Sequence, residues 1–382
     1  MQQDLKNSMK LLEGHTLPET MQAVILEKPE TLTVKQIPIW PIESYGDPDL
    51  VLVKVEACGI CGSDLRYFMG ENPWAQHTLG RHVENPPNIV PGHEFAGTVV
   101  AVLDGKNEHL LGQRVAPVCS KVCGVCRCCR SEREHLCPNT VHTGHGQGWG
   151  QQDYYPGAYA EYVPVWAKGC YTIPDSLPYN EAAMMDILAV CTRVANQGNI
   201  RQGAPVLILG AGPAGNGIGQ IAKMLGASKV VMIGRSDITL EIARECGFPD
   251  VIDSKKVDDQ EAAIRAQLGE EGAMTVIDSI GSERSIKLGL RLLDKAGTLV
   301  NMAVHDTEMQ INQMDLGSER SVVTACNFRA HEYPTTLNWL IEGRINVAPW
   351  IKTVTRDETP ETFLKLLDKE MGRQFFKVVI TD

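Results

Sequence analysis

Four cysteines, Cys123, Cys126, Cys129 and Cys137, are spaced C-x2-C-x2-C-x7-C. Four thiolates on so short a stretch can surround one tetrahedral ion and leave no position for water, which is the chemistry of a structural zinc. The competing reading is a set of ordinary thiols in a basic loop, since Lys121, Arg127, Arg130 and Arg133 are interleaved. Crowded free thiols are an oxidation liability, however, and have no reason to keep this spacing. Cys119 and Cys128 fall outside the pattern and read as bystanders. Earlier in the chain, Cys61-Gly62-Ser63-Asp64 and Pro91-Gly92-His93-Glu94 offer one thiolate and one imidazole. With one further ligand they would make a three-ligand zinc with an open fourth position, the arrangement of a catalytic metal.

A third motif is suited to phosphate. Val206-Leu207-Ile208-Leu209 reads as a strand that runs into Gly210-Ala211-Gly212-Pro213-Ala214-Gly215 and then a helix. Glycines are needed there because a pyrophosphate must approach the backbone closely and rest on the free N–H groups of the helix start. Gly210, Gly212, Pro213, Ala214 and Gly215 are therefore the expected dinucleotide contacts. The next strand, 230–233, ends at Gly234-Arg235-Ser236, where NAD-binding domains keep an acid about 20 residues past the glycines. No acid stands there. Arg235 offers a permanently charged planar fork and Ser236 a hydroxyl, so this strand end reads as a 2′-phosphate site with NADP preferred over NAD. The alternative is that Arg235 lies in solvent and NAD binds without its acidic anchor. Asp237 reads as the cap of a helix beginning near Ile238.

Elements must hold these motifs in place. Short β runs at 23–26, 51–57, 97–103 and 159–165 are separated by Gly, Pro and Asn clusters, so the first half is mostly sheet and loop. From about 178 to 330, apolar strands alternate with helical stretches, which builds parallel βαβ units and a doubly wound sheet. A helix and a last strand at 375–381 follow. With 382 residues and 43% hydrophobic content, two or three domains with real cores are expected and disorder is excluded. The net charge of −11 repels phosphate backbones, which argues against nucleic acid as a partner. Residues 1–20 are polar and lack a signal-peptide core. No apolar run of about 18 residues suggests a membrane span. The chain reads as cytoplasmic, with cysteines kept as thiols or metal ligands rather than disulfides.

Taken together, the sequence resembles the zinc-containing medium-chain alcohol dehydrogenases from Met21 to the C-terminus. The resemblance rests on Ala57 to Asp64, Pro91 to Gly97, the four-cysteine lobe, Gly157-Ala158-Tyr159-Ala160-Glu161-Tyr162-Val163 and the glycine-rich turn, in the family's order. It implies an α/β chain: an N-terminal extension (1–20), a GroES-like mostly-β catalytic domain with the zinc lobe (21–178), a Rossmann cofactor domain (179–329) and a C-terminal segment returning to the catalytic domain (330–382). It also implies that Cys61 and His93 bind catalytic zinc, that Ser63 hydrogen-bonds the alcohol oxygen, and that Glu94 stands beside the metal as a neighbouring or exchanging ligand. Asp186 corresponds to the third ligand. It is the sole acid in the apolar stretch 182–190, where a buried unpaired carboxylate is costly; the alternative is a helix cap. The implied partners are a small-molecule alcohol or carbonyl and further copies of the chain in a homodimer or homotetramer.

The family often has a histidine five residues past Cys61 to relay the alcohol proton; Arg66 stands there instead. The short interval between Cys61 and His93, and Asn327-Phe328-Arg329, bring the chain closer to the polyol, sugar and threonine dehydrogenase branch, although Arg329 also fits a surface cation. Residues 67–89, with Trp74, His77, Arg81 and His82, are the expected substrate-lining loop. A non-catalytic module of the same fold would have no need of intact Cys61, Ser63 and His93.

Overall fold

The strand Leu50–Gly59 is buried along nearly its whole length, which explains why its sequence runs apolar rather than alternating. In the computed structural model, which describes residues 9–103, 105–303 and 305–382, this strand is central to an eight-stranded sheet. Glu94–Val102 pairs antiparallel along one edge, with Gly59 opposite Glu94. Tyr162–Trp166 and Lys377–Ile380 share the other edge, with Gly59 also opposite Val379. Three strands far apart in sequence therefore end together where Cys61, His93 and Lys377 emerge.

A second sheet has six parallel strands in the order Ile252–Asp253, Lys229–Gly234, Pro205–Leu209, Ala273–Asp278, Leu293–Asn301 and Ser321–Thr324. Helices Pro213–Met224, Asp237–Glu245, Gln260–Leu268 and Glu283–Leu292 lie between strands in the chain. This is the doubly wound order expected of a dinucleotide domain. Leu207, Leu209, Val231, Ile233 and Val276 fill its core with Ile286 and Leu290.

The chain forms two compact units. One runs through Asp186 and takes back Ile351–Lys369 and Lys377–Asp382; the other comprises Ile187–Trp350 and Glu370–Phe376. The return thus comes at Ile351 rather than 330. Helix Glu332–Ile341 buries Tyr333, Leu337 and Leu340, and Thr336 shares a 2.6 Å hydroxyl bond with Thr192, so it belongs to the second unit.

Part of the N-terminal extension joins the first sheet. Lys10–Leu11 pairs with Val102 and Ala101, and Leu12 N–H donates to Val100 O at 2.9 Å. Arg114–Pro117 pairs with this edge at Gly97 and Thr98, and Val99 is bonded to Gln113 O and Gly112 N; residues 10–12 take up the edge from Val100 to Val102. Residues 1–8 lie outside the described residues. A chain starting at Met21 should be less stable to urea than one starting at Met9 by roughly 1–3 kcal/mol. Equal midpoints would show that the edge pairing contributes nothing.

Candidate metal centre and active site

Cys61 caps helix Gly62–Phe68 in a reciprocal box with Asp64. Asp64 Oδ2 accepts the Cys61 N–H at 2.9 Å and the Tyr159 hydroxyl at 2.8 Å. Gly92, just before His93, has φ 96°, and a Cβ there would lie 2.4 Å from the Tyr159 ring, so only glycine brings the chain past that ring. His93 and Glu94 follow, both buried. Donor atoms of Cys61, His93 and Glu94 lie within 4.8 Å of one another, and Ser63 Oγ is 3.5 Å from His93 Nε2. The donor set of thiol, imidazole and carboxylate fits zinc. Both Glu94 oxygens are buried, and Oε2 is ion-paired with the buried Lys377, whose ammonium also donates to Ile60 O at 3.0 Å. Burial disfavours the Lys377 charge, but Glu94 outweighs it and holds the ammonium above its ordinary range. At His93, burial is likewise outweighed, chiefly by Asp64.

Asp186 is not in this converging set. It lies inside the first turn of helix Met185–Gln197 rather than at a cap, with Oδ1 3.5 Å from Cys119 Sγ. Burial of its carboxyl raises it to about 6. Arg66 does not stand in for a relay histidine: its guanidinium grips Glu71 at 2.6–2.9 Å and also Gln76, tying Gly62–Phe68 to helix Pro73–Leu79. Trp74 is buried in that helix, whereas Arg81 and His82 are exposed. The sequence reading missed His142 and His145, both buried. Two histidines three apart within a glycine-rich run were the available signal.

In the lobe, Sγ–Sγ separations are 3.5 Å for Cys126–Cys129 and Cys123–Cys137, and 3.9 Å for Cys123–Cys129 and Cys126–Cys137. A tetrahedron with zinc–sulfur bonds of about 2.3 Å has edges of about 3.8 Å, whereas a disulfide needs about 2 Å. Backbone N–H groups of Cys126 and Cys129 point at Cys123 and Cys126 sulfurs at 3.4 and 3.5 Å. Such donors, from Val125 and Cys126, hold the Cys123 thiol down at about 6, which favours the ligating thiolate. Cys128 stands outside the four, and Cys119 belongs beside Asp186 and His142.

At the glycine turn, Gly212 caps helix Pro213–Met224, whose first residues are Pro213, Ala214 and Gly215. A Cβ on Gly212 would meet nothing within 4 Å, so that side is open to a ligand. Gly210 ends the strand with its N–H bonded to Ile233 O. Arg235 is exposed and makes no hydrogen bond or ion pair among the described residues. The cap of helix Asp237–Glu245 is Ser236, not Asp237: its Oγ accepts from Thr239 N, while Asp237 pairs with Lys255 at 2.8 Å.

Residues 47–175 match the alcohol dehydrogenase GroES-like domain and residues 213–342 the zinc-binding dehydrogenase family. An L-threonine 3-dehydrogenase from Sinorhizobium fredii is 32% identical over 74% of this chain and 72% of its own length. The chain belongs to the zinc-containing medium-chain alcohol dehydrogenase family. Sorbitol dehydrogenase from Bacillus subtilis is 26% identical to this dehydrogenase over 87% of the chain and 89% of the relative, which places it in the polyol and threonine dehydrogenase branch. A zinc-binding dehydrogenase from Sinorhizobium meliloti bound to NADP superposes with a TM-score of 0.82 at 27% identity, covering 96% of this chain and all of that one. An alcohol dehydrogenase from Escherichia coli complexed with NADH gives 0.80, also at 27%, with the same coverage. Among the described residues, no helix is long and apolar enough to cross a membrane.

Proposed function

We propose that this dehydrogenase is a cytoplasmic enzyme that oxidises a polyol, sugar or other secondary alcohol with NADP, or runs the reverse reduction. It would hold an open zinc at Cys61, His93 and Glu94 and a closed zinc at Cys123, Cys126, Cys129 and Cys137. The observation that carries this reading is the convergence of thiol, imidazole and carboxylate beside Ser63 at one end of the sheet. Zinc held there by Cys61, His93 and Glu94 would supply Lewis-acid polarisation of the substrate oxygen, and a bound nicotinamide cofactor would supply the hydride chemistry. Ser63 Oγ would accept the hydrogen bond of the alcohol hydroxyl and, as it takes that proton, hand its own on toward the cofactor ribose hydroxyl and solvent. Lys377 neutralises Glu94, and Asp64 fixes the Cys61 backbone. Asp186 is the second candidate for third ligand. The twelve cysteines, none in a disulfide, fit a reducing compartment.

A cofactor-reduction screen over polyols, aldoses, secondary alcohols and amino alcohols tests the reading. The last class is the second reading, favoured by the threonine dehydrogenase relative. No turnover on any class would overturn the proposal. Arg235, exposed and unpaired, supports NADP. Arg235→Ala should lower kcat/KM for NADP roughly 10- to 100-fold, the worth of a charged hydrogen bond, with NAD within about twofold; a parent that prefers NAD would sink it. Gly234→Asp is a poorer test, because a Cβ at 234 would come 2.7 Å from Ala211 Cβ and disturb the glycine turn itself. A homodimer or homotetramer accords with the exposed edge strand Ser321–Thr324 and with exposed Met309, Ile311, Met314 and Leu316 just before it. A monomeric mass in sedimentation would remove that part.

A further inference from the structure

We infer that Lys255 is a second cation for the cofactor's 2′-phosphate, and that Asp237 is the carboxylate it exchanges for that phosphate. This rests on the reading that Arg235 and Ser236 receive a 2′-phosphate. The two strand ends concerned are fixed to each other. Gly234 lies opposite Asp253 where Lys229–Gly234 and Ile252–Asp253 pair in parallel, and Ser254 N–H donates to Gly234 O at 2.8 Å. The turn that carries Lys255 therefore begins beside Gly234 and Arg235. Its side chain reaches back toward them: Nζ lies 2.8 Å from Oδ1 of Asp237, which stands two residues past Arg235.

Charge decides what this place can hold. Residues 234–237 and 253–256 carry three cations, Arg235, Lys255 and Lys256, and two acids, Asp237 and Asp253. Asp253 is committed inward: it is buried, its Oδ1 accepts the Lys255 N–H at 2.9 Å, and its Oδ2 pairs with Lys256 at 3.3 Å. That leaves Arg235 exposed and Lys255 held only by Asp237, whose side chain is 87% exposed. An ion pair so open to water is a weak hold. A phosphate monoester carries nearly two negative charges at neutral pH against one on a carboxylate, so it outcompetes Asp237 for the ammonium. The freed carboxylate stays in water at the first position of helix Asp237–Glu245, where the N-terminal dipole favours it. NAD presents a neutral ribose hydroxyl at the same place and gives Lys255 no cause to leave its partner.

The competing explanation is that Lys255 and Asp237 form an ordinary surface pair, and binding measurements separate the two. Adenosine 2′,5′-bisphosphate and adenosine 5′-monophosphate differ only by the 2′-phosphate and need neither metal nor substrate. Their affinities for the full chain, measured by calorimetry, give a ratio that reads the 2′-phosphate alone. Lys255→Gln should lower this ratio roughly five- to tenfold, the worth of a charge-assisted contact near the surface. Asp237→Asn should raise it about two- to fivefold, because it frees the ammonium and removes a like charge. Lys256→Gln removes the same charge one residue away and should leave the ratio within about twofold of the parent. A parent that binds both nucleotides alike, or an Arg235→Ala variant with the parental ratio, would overturn the 2′-phosphate reading and this inference with it. With both of those results in favour, a parental ratio in Lys255→Gln, a loss no greater than in Lys256→Gln, or no gain in Asp237→Asn would overturn the inference alone.

Discussion

Replacing His93 by alanine should lower turnover roughly 10,000-fold or more and reduce the metal content from two zinc ions per chain to one, with secondary structure retained. The size follows from what the site supplies: Lewis-acid stabilisation is worth several kcal/mol, and each 1.4 kcal/mol is a factor of ten in rate. Cys61→Ala should behave alike, because Cys61 and His93 flank the paired strand ends at Gly59 and Glu94 and belong to one converging donor set. The carboxylates discriminate further. Glu94→Gln keeps the side-chain shape and an amide oxygen beside Lys377, which Glu94→Ala would not, although either change removes the charge paired with that buried ammonium, at a cost of about 3–5 kcal/mol. If Glu94 is the third ligand, Glu94→Gln should lose open-site zinc at weaker chelation than Asp186→Asn. The opposite order would return Asp186 to that role, and full metal content with parental turnover in His93→Ala would dismiss the site.

What could be read from the sequence was what is local along the chain. The four-cysteine spacing, the glycine turn between strand and helix, and the Cys61 and Pro91–Glu94 segments each carry their geometry within fifteen residues or fewer. The third donor was harder, because Asp186 and Glu94 are both acids in apolar surroundings, and only the register of Gly59 opposite Glu94 and Val379 brings Lys377 and Glu94 together. Lys377 is more than 300 residues from Cys61 and carries no local signal. The edge strands Ile252–Asp253 and Ser321–Thr324 escaped because one has two residues and the other is largely exposed. Ser236 and Asp237 are both good helix caps, and a one-residue difference in where helical dihedrals begin decides between them. The early boundary at 330 had a similar cause: the pattern of helix Glu332–Ile341 marks a buried face but does not say against which core it packs.

The lobe should respond quite differently from the open site. Cys126→Ala should release its zinc, open the segment around 119–142 to proteases and lower thermal stability, while the open-site zinc stays in place. Cys126 would be one of the four ligands: like each of the others its sulfur forms two of the close Sγ–Sγ edges, with Cys129 and Cys137, and it alone also accepts the Cys129 N–H and caps helix Arg127–Arg130. Little else holds this segment: Arg127–Arg130 has one turn and no buried residue, and the strand Ser120–Lys121 pairs over two residues with Val141–His142. In small zinc modules the ion is worth on the order of 10 kcal/mol of folding. Four converging thiols without it would be a destabilising cluster among Lys121, Arg127, Arg130 and Arg133, and losing one ligand should therefore melt the lobe locally. Cys128→Ala is the control, since that thiol lies beside Cys129 yet outside the four; it should leave both zinc ions and the protease pattern as they are. Zinc loss and lobe cleavage in Cys128→Ala, with neither in Cys126→Ala, would show that the ligand set has been misassigned. Two zinc ions and an uncut lobe in both variants would show that this segment is held by its backbone pairing and not by a metal.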